Sequence, residues 1–91
     1  LPVGKSVLVA LAEKNENIEK SISNLREYIK RERRRDKVIN AKFLLGNAYE
    51  TTEKLKIAYD IYYSILGEYP NTQVIQDRLK SVYNRRISRR R

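Results

Sequence analysis

Ninety-one residues make one domain, and a domain of this size buries only about 60–65% of its unfolded surface. A 41% hydrophobic content excludes wholesale disorder, and three Gly and two Pro favour helices over a β-sandwich. The lack of Cys and His removes disulfides, thiolate metal sites, the commonest metal ligand and the commonest general base. The net charge of +9 is uneven: residues 26–37 carry seven Lys/Arg against three acids, and 78–91 carry seven against none. No apolar run reaches the roughly 18 residues of a membrane span. Leu1 in place of Met is what a trimmed or excised segment carries, so the lack of a signal or lipid anchor does not argue for the cytoplasm.

Five amphipathic segments are predicted in chain order. The first covers 3–14, with Pro2 suited to its first turn and Val7, Leu8 and Leu11 on one face. Asn15-Glu16-Asn17 reads as a turn. The second covers 16–33 with a stripe of Ile18, Ile22, Leu25 and Ile29, and with Glu16–Lys20 as helix support. Asp36 is placed to cap a third, 37–50, whose apolar positions are Val38, Ala41, Phe43, Leu44, Leu45, Ala48 and Tyr49. Thr51-Thr52 reads as a tight turn that offers a cap to a fourth, 53–67, with Leu55, Ala58, Ile61, Tyr62, Ile65 and Leu66. Pro70 cannot continue that helix. Thr72 is expected to cap a fifth, 73–87, carrying Val74, Ile75, Leu79, Val82, Tyr83 and Ile87. Links of two to five residues predict antiparallel neighbours.

Shifting the chain on itself by 37 residues sets Leu8 on Leu45, Ser21 on Ala58, Leu25 on Tyr62 and Leu45 on Val82. Leu45-Gly46-x2-Tyr49, then Ala58-x3-Tyr62, then Pro70, resembles the tetratricopeptide repeat pattern. Gly46 and Ala58 are small where helices cross, Tyr49 and Tyr62 fill space between hairpins, and Lys42 stands where the pattern has Trp. The Tyr69-Pro70-Asn71-Thr72 turn resembles the longer-repeat subtype of bacterial outer-membrane assembly lipoproteins and Tol–Pal-associated periplasmic proteins.

The resemblance covers residues 39–72 closely and 3–38 weakly. It implies one all-α domain: a hairpin over 3–34, a second over 37–69, a lone helix over 72–88 and a basic tail, as a fragment of a right-handed superhelix. It also implies a non-catalytic protein–protein scaffold in the bacterial cell envelope or periplasm, with the cytoplasm left open. The first helix of each hairpin lines the concave side of such arrays, so Lys42, Asn47, Glu50, Gln76 and Lys80 are the candidate partner contacts. The simpler explanation of each is plain solvated surface.

Tyr59 and Tyr63, at i and i+4, join the candidates because Tyr couples an apolar body to a polar tip. So few repeats leave apolar faces to cover, and Val3, Val7, Leu79, Val82 and Ile87 are expected to meet further repeats, a second copy or another protein. The rival reading starts from Arg31, Arg34 and Arg35, expected on one helix face, and from Arg85, Arg86, Arg89, Arg90 and Arg91. These would bind nucleic acid, an acidic partner or anionic lipid, or merely complement helix C-termini. Their expected place at opposite poles argues against nucleic acid, which needs a contiguous basic footprint. No cofactor is implied and no catalytic residue is assigned.

Overall fold

The computed structural model describes residues 7–89. They form four α-helices, α1 Val7–Arg31, α2 Arg35–Thr51, α3 Leu55–Ser64 and α4 Thr72–Arg89, with no strand among the described residues. Each helix packs on its neighbour in sequence, and α1 pairs with α2, α2 with α3 and α3 with α4. The radius of gyration is 15.2 Å, against about 12 Å for a compact domain of this length. The molecule is therefore an extended row of helices, 47 × 38 × 19 Å.

The five-helix expectation is corrected at the N-terminal end, where 7–31 is one uninterrupted helix and not a hairpin. Asn15-Glu16-Asn17 lies inside it. Lys20 pairs with Glu16 and the Ser21 hydroxyl donates to the Asn17 carbonyl, both local contacts that a helix accommodates. A turn there would also have needed a surface to fold back onto. Ser21 and Val9 stand where the well-matched repeat has its small residues. At 1.5 Å per residue α1 is about 37 Å long and α2 about 25 Å. The first turns of α1 therefore overhang, and Val7, Leu8 and Leu11 are 50–78% exposed. Ile22 is buried, with Ile18, Leu25 and Ile29 packed partly against the core.

Glu32, not Asp36, organises the start of α2. Its carboxylate accepts the Arg34 backbone N–H at 3.0 Å and a fork from the same residue's guanidinium at 2.9 and 3.0 Å. The N-cap is Arg34, and Asp36 sits in the first turn, where its charge favours the helix dipole. Because α1 stops at Arg31, Arg31, Arg34 and Arg35 do not share a helix face.

The far end of α2 closes with the Lys54 N–H on the Tyr49 carbonyl and the Glu53 N–H on that of Glu50. This pair of bonds is a Schellman arrangement. Its left-handed position is filled by Glu53, φ 64°, where glycine is usual. Thr51 and Thr52 bond back into α2, to Asn47 and to Ala48 and Tyr49, and do not cap α3. The helix geometry of α3 ends at Ser64, short of the predicted 67. From there Ile65, Leu66 and Glu68 donate to carbonyls three residues back, the tightened last turn of a helix. Asn71, one residue before the expected Thr72, caps α4 by accepting the Val74 N–H at 3.2 Å.

The core runs along the α2–α3–α4 seams through Ile39, Leu45, Tyr49, Leu55, Ala58, Tyr62, Ile65, Ile75, Leu79 and Val82. Its tightest point is the crossing of α2 and α3. A Cβ on Gly46 would stand 2.6 Å from one ring carbon of Tyr62 and 3.0 Å from two others. Ala58 and Tyr62 on the facing helix are fully buried. Leu44, expected in the core, is 54% exposed, on a face that no helix covers. Leu79 and Val82, expected at an open end, are buried on α3; Tyr83 and Ile87 are the exposed apolar residues of α4. Val3, Arg90 and Arg91 lie outside the described residues.

Gly46→Ala and Gly67→Ala separate helix propensity from crowding. Alanine adds up to about 1 kcal/mol of helix propensity, but overpacking a fixed core costs about 1–3 kcal/mol. Urea unfolding should show Gly46→Ala destabilised by about 1–2 kcal/mol. Gly67, with no atom within 4 Å of a built Cβ, should tolerate alanine with a change of at most about 0.5 kcal/mol.

Candidate functional site

Two surfaces collect the polar and charged groups, and they lie on different sides of α2. The first is an open groove of about 690 Å³ walled by α1 and α3. Both walls pack against α2, whose Lys42 and Leu45 form the floor. Ser23, Arg26, Glu27, Ile29 and Lys30 come from α1, and Ile57, Asp60, Ile61 and Ser64 from α3. These residues recur at helical spacing, so each wall presents one stripe. Arg26 is held in place: its Nε–H donates to the Tyr49 phenol at 2.6 Å, and its guanidinium lies 5.3 Å from the ring centroid.

The second surface joins α2 to α4. Glu50 is 8% exposed and accepts from the Tyr62 hydroxyl at 2.8 Å, Arg85 Nη1 at 2.8 Å and Arg78 Nη1 at 3.4 Å. Asn47 Oδ1 is 2.5 Å from the same hydroxyl. A hydroxyl has one proton, and the carboxylate is the stronger acceptor. The Asn47 amide therefore turns its NH2 toward the phenolic oxygen, an orientation that heavy atoms alone do not fix. Burial, and then the Glu50 hydrogen bond and charge, push the Tyr62 phenol well above the usual tyrosine range. Arg85 Nη2 also reaches Glu53 at 2.9 Å, as does Arg89.

The sequence-derived candidates are thus divided. Lys42 lies in the first groove. Asn47 and Glu50 point the other way and are occupied inside the protein, so Glu50 is corrected from partner contact to internal support. Gln76 and Lys80 are exposed on α4. Tyr63 is 63% exposed, Tyr59 is half-buried, and their rings stack at 6.3 Å.

The basic residues are largely engaged within the chain. Arg31 pairs with Glu27, Arg34 with Glu32, Arg35 with Glu68, Arg85 with Glu50 and Glu53, and Arg89 with Glu53; Arg86 is half-buried. The Arg35–Glu68 and Arg85–Glu53 pairs mark opposite ends of α2, separated by roughly its 25 Å length. That distance is several times the ~8 Å Debye length at physiological salt, so the two clusters do not act as one field.

The groove-lining Arg26, Lys30, Ile57 and Asp60 were not singled out from sequence. Their spacing was visible, but which stripe of α1 would face α3 depends on how both helices sit on α2. No described helix is long and apolar enough to cross a membrane, and no described group of three or more acidic residues could hold a metal ion. Compared with known proteins, the chain matches no family model, no curated protein and no solved structure.

Two measurements follow. Glu50→Ala leaves the Tyr62 hydroxyl and Arg85 without their buried acceptor and should cost about 2–3 kcal/mol in urea unfolding. Glu53→Ala, which breaks exposed pairs only, should cost less than about 1 kcal/mol. The Arg34 fork holds the Glu32 carboxyl at about 2, below its ordinary 4.5, and the Arg35 fork lowers Glu68. A depressed carboxylate stabilises the fold above its unfolded value and loses that contribution as pH falls through the folded value. The melting temperature should therefore decline from about pH 4.5 toward pH 2, and less steeply in Glu32→Gln.

Proposed function

We propose that this chain is a non-catalytic, tetratricopeptide-like helical scaffold that binds another protein. The observation that carries the reading is the α2–α3 crossing. There Gly46 meets the ring of Tyr62, Ala58 is fully buried and Tyr49 is 6% exposed. Close helix contact at these positions is what the repeat pattern would call for, and it supports the reading. Val82, 37 residues after Leu45, is buried as Leu45 is, so α4 repeats the role of α2. On this reading α1 supplies the second helix of a preceding unit and α4 the first helix of a following one. The bacterial-envelope setting rests on the Tyr69-Pro70-Asn71-Thr72 resemblance alone.

The partner surface in this proposal is the α1–α3 groove, walled by the second helices and not by the first helices that the resemblance pointed to, with exposed Ile57 and half-buried Ile29 and Ile61 between charged rims. Apolar ground with a few placed polar groups is the usual make-up of a recognition cleft. The rival basic module is weakened by the internal pairing of Arg34, Arg35, Arg85 and Arg89.

A photo-cross-linker at position 57, compared with one at position 76 on α4, tests the proposal in cells of the source organism. A discrete protein adduct from 57 that persists when salt is raised is the expected result. Adducts to nucleic acid, with duplex binding that falls by about 0.9 log units per log unit of salt for each phosphate contacted, would replace the scaffold with the basic module.

A further inference from the structure

We infer that the α1–α3 groove is built for an acidic amphipathic helix, a deepening that rests on the scaffold reading above. The charge balance at the rim is the first reason. Arg26 and Lys30 share the α1 wall with Glu27, Lys42 stands at the floor and Asp60 on the α3 wall. Both acids are engaged by cations that do not line the groove: Glu27 with Arg31 at 2.9 Å, and Asp60 with Lys56 at 2.9 Å. Among the described residues no carboxylate lies within 4.0 Å of the Lys30 or Lys42 ammonium; the nearby Glu68, which feels the Lys42 charge, is held by the Arg35 fork. Arg26 Nε is used by Tyr49, which leaves its terminal nitrogens directed by a fixed side chain. The field left for a ligand is therefore positive, on a protein whose net charge is +9.

Shape supplies the second reason. The groove runs between α1 and α3, and Ile29, Leu45, Ile57 and Ile61 form its apolar lining. About 690 Å³ holds a few anchoring side chains and not a whole helix, so a partner helix would lie along the groove and insert one ridge. Anchors at i, i+4 and i+7 of an amphipathic helix match such a floor, with flanking Glu or Asp reaching Lys30 on one wall and Lys42 beside the floor. An extended strand has less to gain, since no described strand edge offers main-chain hydrogen bonds. A duplex or a lipid surface is too broad to seat a ridge on the apolar floor between α1 and α3.

The test uses the whole chain and a designed four-turn peptide with Leu at i, i+4, i+7 and i+11 and Glu on both flanks. A second peptide replaces each flanking Glu with Lys, and fluorescence anisotropy and amide chemical shifts are the readouts. The Glu peptide should bind with shifts centred on Lys42, Ile57 and Ile61. Lys30→Glu/Lys42→Glu should weaken it roughly tenfold and bring the Lys peptide to equal or tighter binding. Ile57→Glu should abolish both. All three positions are at least partly exposed, and unchanged thermal melts confirm that the fold is intact.

Equal binding of the two peptides to the unaltered protein overturns the acidic preference and leaves the scaffold standing. Failure of both peptides to shift the groove amides overturns the inference, while the position-57 cross-link still decides the scaffold. A short DNA duplex or anionic vesicles producing the same shifts would overturn it in favour of phosphate recognition.

Discussion

The contact between the backbone at Gly46 and the face of the Tyr62 ring governs the rest of the structure. With no Cβ between them, α2 and α3 approach closely enough for the ring to be fully buried, and the ring then becomes part of both helices' packing. Its centroid lies 6.0 Å from that of the tilted Phe43 ring, and Phe43 in turn stacks on Tyr69 at 4.7 Å, tying the α3–α4 connection to α2. Its hydroxyl reaches Glu50 and so brings Arg78 and Arg85 of α4 into the same set of contacts. One missing methyl group thus sets the spacing of one pair of helices and the docking of a third.

The hairpin from α2 to α3 was legible in the sequence because its signals agree. Gly46, Tyr49, Ala58 and Tyr62 fall at helical spacing on the facing stripes, and the apolar pattern of each segment has the same period. The N-terminal third was misread because its only turn signal was Asn15-Glu16-Asn17. Those residues lower helix propensity slightly and do not forbid a helix. A real turn appears at Thr51–Lys54, equally without glycine, because α3 has a complementary surface to return to and Glu53 accepts the left-handed conformation.

The candidate site was less legible than the fold. Composition gives the charges and periodicity gives their stripes, but pairing is a long-range property. Arg35 with Glu68 and Arg85 with Glu50 span more than thirty residues of sequence. A run of arginines in the sequence therefore looks like a ligand-binding patch when much of it is internal. Glu50 illustrates the converse error: as a lone acid near a helix end it reads as surface, and only the neighbouring helices show it as an acceptor shared by three donors.

The position of Glu53 also bears on how separable the parts are. A repeat array is commonly thought of as units that add independently, yet here the turn inside one hairpin is tied to α4 by Arg85 and Arg89, and the neighbouring Glu50 is covered by the same arginine. Detaching α4 would uncover a carboxylate and a phenol at the heart of the preceding pair. Such a chain should lose its helices together, as one cooperative block, and the 37-residue register of its sequence does not divide it energetically.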